Sequence, residues 1–76
     1  MFQRIRDLRE DGDISQQFLA DLLNVAQSTY SRYERDVHAI PMSSLIILAN
    51  FYNTSIDYLV GRTNEKNPYP PKKVQL

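Results

Sequence analysis

Apolar residues along this chain recur at helical rather than strand spacing, in short bursts separated by polar and turn-forming residues. Phe2, Ile5 and Leu8 stand three apart among charges of both signs, which predicts an amphipathic helix ending near Gly12. Ser15 is a good N-cap, and behind it Leu19, Leu22 and Leu23 share one face of a short second helix that Asn24 closes, because asparagine tolerates a left-handed terminal position. A third helix starts around Ala26. Its tyrosines, Tyr30 and Tyr33, lie on one side, and Gln27, Ser28, Ser31, Arg32 and Arg35 on the other. Pro41 opens a fourth helix, where its missing N–H costs nothing, with Leu45, Leu48, Ala49 and Tyr52 as the buried face and Asn53 as its end. Ser55 caps a last short helix carrying Ile56, Leu59 and Val60, and Gly61 follows as a C-terminal glycine. Pro68, Pro70 and Pro71 then forbid regular structure.

This pattern defines an all-α fold, a compact bundle of five short helices. Residues 1–61 form one domain, and residues 62–76 a Pro-rich, basic and flexible tail. At 76 residues the chain has room for one core. Without cysteine, disulfides, thiolate ligands and cysteine nucleophiles are excluded, and a reducing cytoplasm is the expected location. No apolar run approaches the roughly 20 residues of a membrane span, and no signal peptide is visible. One histidine offers little for catalysis, so neither enzymatic activity nor a cofactor, metal or small-molecule ligand is expected.

The formal net charge of zero hides an asymmetry. Residues 1–61 carry five basic groups against eight acidic ones, whereas residues 62–76 carry Arg62, Lys66, Lys72 and Lys73 against Glu65. Long-range attraction to a polyanion is therefore weak for the helical part.

Two short helices, Gln16–Leu23 and Gln27–Arg35, joined by a tight turn and with polar residues on the second, suit entry of one helix into the DNA major groove while the other braces it. The run SQQFLADLLNVAQSTYSRYER resembles the lambda repressor and Cro family, also called the Xre family, and the likeness extends through RIRDLRE at residues 4–10 and LANFYNTSIDYLVG at residues 48–61. The resemblance implies that Ala20 lets the two helices approach, that Asn24 stands in the turn where glycine is frequent, and that Val25 plugs the core. It implies base contacts from Gln27, Ser28, Thr29 and Arg32, and phosphate contacts from Gln16, Ser31 and Arg35. Tyr33 stands between two roles, a core ring and a phosphate contact. Arg9 and Glu34 match a pair that ties the first helix to the third.

Two departures stand out. Asp36, Val37 and His38 follow the third helix where relatives often have glycine and a basic pair, which removes phosphate contacts and implies weaker, less salt-sensitive binding. Phe18 and Leu22 lie four apart where polar residues are common, and suggest an apolar patch. The sequence thus supports two readings. The first is a sequence-specific transcriptional regulator of bacterial or phage type, a repressor by occupancy, binding double-stranded DNA as a homodimer. The second is a protein-interaction module on the same fold, using the Phe18/Leu22 patch or the tail.

Overall fold

Caps fix several of the helix ends, with residues whose chemistry suits the task. Ser15 accepts a hydrogen bond from the backbone N–H of Phe18, and Ser55 one from that of Tyr58, so each satisfies an orphan donor of the first turn. Asn24 closes its helix at φ 60°, ψ 45°, in the left-handed region, and its N–H returns to Ala20 and Asp21. In the computed structural model, which describes residues 4–68, the helices are α1 Arg4–Asp11, α2 Gln16–Leu23, α3 Gln27–Arg35, α4 Met42–Phe51 and α5 Ile56–Leu59, of which α3 and α4 begin without a side-chain cap. A 3₁₀ turn, Val37–Ala39, links α3 to α4, and no strand is present among the described residues. Phe2, Pro70, Pro71, Lys72 and Lys73 lie outside the described residues.

α1 stops at Asp11, and Asp13, not Gly12, takes the left-handed conformation after it (φ 54°). Gly12 is constrained differently, since a Cβ there would stand 3.0 Å from Ile14 Cδ1. Asp36 explains the first departure from the family pattern: its carboxylate accepts from His38 N–H at 3.0 Å and caps the 3₁₀ turn. A carboxylate at that position serves the local backbone instead of a phosphate.

Each helix contributes to one core. Ile5 and Leu8 come from α1, Leu19, Ala20 and Leu23 from α2, Tyr30 and Tyr33 from α3, Leu45, Leu48 and Ala49 from α4 and Leu59 from α5. Ala20 is wholly buried where α2 and α3 pack, and Val25, half-buried, closes the turn with its N–H on Ala20 C=O at 2.9 Å. Burying these side chains supplies the main driving force for the fold, at about 25 cal/mol per Å² of apolar surface. α4 departs from a simple one-faced helix, because Met42, Ile46, Ile47 and Phe51 remain exposed beside its buried row.

Residues 62–66, read from the sequence as the start of a free tail, have no regular structure but are held against the helices. Arg4 reaches across from α1, donating Nη1 to Tyr58 C=O at 3.0 Å and Nη2 to Asn64 Oδ1 at 2.7 Å, with a further bond from Nη1 to Thr63 C=O. Its guanidinium carbon lies 4.1 Å from the centre of the Tyr58 ring, a cation–π contact. The Thr54 hydroxyl donates to Lys66 C=O. The packed unit therefore continues past Gly61.

Candidate nucleic-acid interface

Helix periodicity sorts the α3 side chains. Tyr30 and Tyr33, three apart, turn inward, with ring centroids 6.3 Å apart in an edge-on arrangement. Of the two roles open to Tyr33, the structure shows the core one for its ring: only 6% exposed, it shares the inner side of α3 with Tyr30. Gln27, Ser28, Arg32 and Arg35 are exposed, and Thr29 and Ser31 half-buried. Arg35 donates Nη1 to Ser31 Oγ at 3.0 Å, one turn back, so these two polar groups occupy one spot on the surface. Arg32 makes no ion pair among the described residues and is free to engage an outside partner.

Gln16 is the first residue of α2 and Gln27 the first of α3, and the packing of α2 on α3 brings the two side chains together. Gln27 Nε2 donates to Gln16 Oε1 at 3.4 Å, and Gln16 Nε2 to Glu34 Oε1 at 3.0 Å. Arg9 and Glu34 meet as a fork. Arg9 Nε lies 2.6 Å from Glu34 Oε2 and Nη2 3.3 Å from Oε1, while Nη1 donates to Ile14 C=O at 3.0 Å. The two side chains are 15% and 6% exposed, so this pair is shielded, unlike the surface pair Arg6–Glu10, whose members are about half exposed and add little stability.

Burial pushes the Glu34 carboxyl up, but the hydrogen-bonded Arg9 guanidinium foremost, then the nearby Tyr30 hydroxyl and the hydrogen-bonded Gln16 amide, outweigh that effect and hold it below the usual carboxylate range. Arg9 rises correspondingly, chiefly through its hydrogen bond to Glu34. Tyr30 Oη is fully buried and lies in the field of Glu34 without a well-formed hydrogen bond; burial first, then that carboxylate, raise its pKa far above the ordinary tyrosine value. Burial likewise raises Tyr52 to about 12.

Phe18 and Leu22 are 51% and 38% exposed, and Phe18 packs against Phe51 of α4, itself 40% exposed, with ring centroids 5.8 Å apart. Nothing local marks Phe51 as part of this patch, because the contact joins two helices across 33 positions of chain. Among the described residues no cluster of His, Asp and Glu could hold a metal ion, and no helix is long and apolar enough to cross a membrane.

A bracing helix, a tight turn through a left-handed asparagine, and a second helix with a free polar face define a helix-turn-helix module. The chain belongs to the helix-turn-helix family, whose model matches residues 5–59, in agreement with the resemblance to the lambda repressor and Cro type. It is similar to two transcriptional regulators of Bacillus subtilis (strain 168). These are the HTH-type transcriptional regulator YobD, 35% identical over 71 residues that make up 93% of this chain and 63% of that protein, and the HTH-type transcriptional regulator AnsR, 37% identical over 67 residues, 88% of this chain and 58% of that protein. A third relative is the cryptic phage CTXphi transcriptional repressor RstR of Vibrio cholerae, 35% identical over 58 residues, 76% of this chain and 52% of that protein. The chain thus spans between about half and three-fifths of the length of these relatives. No solved structure matches it.

Proposed function

We propose that this chain reads DNA sequence for a transcriptional regulator, and that it represses by occupying an operator. The observation that carries this reading is the row Gln27, Ser28 and Arg32, exposed on α3 beside the start of α2. Glutamine suits adenine and arginine suits guanine in the major groove. In this reading Gln27, Ser28, Arg32 and Thr29 face the bases, while Gln16, Ser31 and Arg35 hold the backbone. Two copies act on a two-fold site, because one helix reads too few bases for selectivity. The names of the relatives support transcriptional regulation, and that of RstR supports repression.

Selection of the whole chain against a random duplex library at about 50 mM salt, where weak phosphate contacts still count, tests it. An enriched palindrome whose half-site preference relaxes at one position in Arg32→Ala is the expected outcome. A library that emerges unenriched contradicts the reading.

One observation supports a second role on the same fold. The exposed Phe18–Phe51 contact, with Leu22 a turn along α2, is the kind of apolar surface that binds another protein. Under that role alone, Phe18→Ser abolishes partner binding, and no duplex is selected.

A further inference from the structure

Glu34 is a shielded carboxylate surrounded by donors, and the line of hydrogen bonds from it ends at the first residue of the reading helix. Arg9 supplies Nε and Nη2, and Gln16 supplies Nε2 at 3.0 Å. Gln16 Oε1 in turn accepts from Gln27 Nε2 at 3.4 Å. A carboxylate only accepts, whereas a primary amide has one accepting and one donating end. The polarity of the line is therefore set at its inner end. Facing Glu34, Gln16 turns its NH₂ inward and leaves its carbonyl for Gln27. Gln27 answers with its own NH₂, which leaves its carbonyl and one amide hydrogen for an outside partner. The two ends of an amide have nearly the same shape, so only a partner of fixed polarity decides between them. The surrounding donors keep Glu34 ionised at neutral pH, so it remains that partner.

Building on the assignment of α3 as the base-reading helix, we propose that Glu34 is a specificity-determining positioning residue. Acting through Gln16, it fixes the Gln27 amide so that the position prefers adenine, which offers a donor and an acceptor in the major groove, over guanine, which offers two acceptors. Glu34 touches no base. Its effect on guanine is partly repulsive, since an outward carbonyl meets another acceptor there.

The test uses the whole chain and two duplexes that carry the selected site and differ only in having A·T or G·C at the pair whose preference is lost in Gln27→Ala. Fluorescence anisotropy gives the ratio of the two affinities. The wild type favours adenine by about tenfold, the scale of one good bidentate contact. Glu34→Gln keeps the shape but can both donate and accept, so the ratio falls several-fold toward one, while the preference at the Arg32 pair stays as it was. A purely structural role of Glu34 lowers both preferences together. If Glu34→Gln melts below the assay temperature, Gln16→Met carries the test, because it leaves the Arg9–Glu34 pair in place and removes the amide between the two ends; the same fall in ratio is expected. A folded variant with an unchanged adenine preference, or a wild type that prefers another base at this pair, overturns the relay alone. A wild type that selects no site overturns base reading itself, and the relay with it.

Discussion

Arg9 and Arg4 share α1, and both reach partners in distant parts of the chain. Arg9 forks onto Glu34 across 25 positions of chain, and Arg4 gathers Tyr58, Thr63 and Asn64 from positions 54 to 60 residues away. Spacing within a helix carries no information about partners so distant. The first pair was legible through the family resemblance, whereas nothing local marked the second. Tyr33 was open between two roles for a related reason: a tyrosine at helical spacing has a ring for the core and a hydroxyl for water or phosphate, and only packing decides. Replacing Arg9 by Ala strands a shielded carboxylate and lowers stability by about 1–3 kcal/mol, read from urea unfolding. The acid side of the stability profile follows from the same residue. The folded state holds the Glu34 pKa below the ordinary carboxylate value, so the contribution of Glu34 is complete above that ordinary value and is lost as pH falls through the depressed one. Melting temperatures taken downward from pH 6 are expected to drop more steeply in the wild type than in Glu34→Gln. Parallel curves would deny the pair this role.

The helix ends were legible because they depend on single residues with local chemistry. Ser15, Asn24, Ser55 and Gly61 act where the sequence placed them, and α2 and α3 have the limits read from it. α3 begins after Ala26 without a side-chain cap, so its start was legible only from the periodicity of Tyr30 and Tyr33. The exposed half of α4 was not legible. Its sequence is apolar nearly all round, which does not reveal which residues the neighbouring helices leave uncovered. The turn between α2 and α3 is the most testable of these elements. Asn24 sits at φ 60°, where a Cβ costs about 1–2 kcal/mol unless the side chain is asparagine-like, and glycine removes the cost. Asn24→Gly should therefore match or exceed the wild type in thermal stability, and Asn24→Ala should lose about 1 kcal/mol by denaturant titration. Equal stability of the alanine and glycine variants would mean that the turn adopts another conformation in solution.

For the whole molecule, charge sets the terms of binding. The helical part, residues 1–61, carries more acid than base, and the phosphate-facing groups proposed here, Gln16, Ser31 and Arg35, include a single cation. Selectivity must then come from the bases more than from the backbone. The dependence of affinity on salt, about −0.9 in log–log slope for each neutralised phosphate, should accordingly be shallow. The most direct test is a salt titration of the whole chain on its selected duplex and on a scrambled duplex of the same composition. Reading of bases by α3 predicts a gap of at least about a hundredfold that persists as salt rises, and that narrows in Arg32→Ala by about 1–3 kcal/mol, roughly five- to 150-fold. Equal affinities for the two duplexes, both fading together with salt, would contradict it.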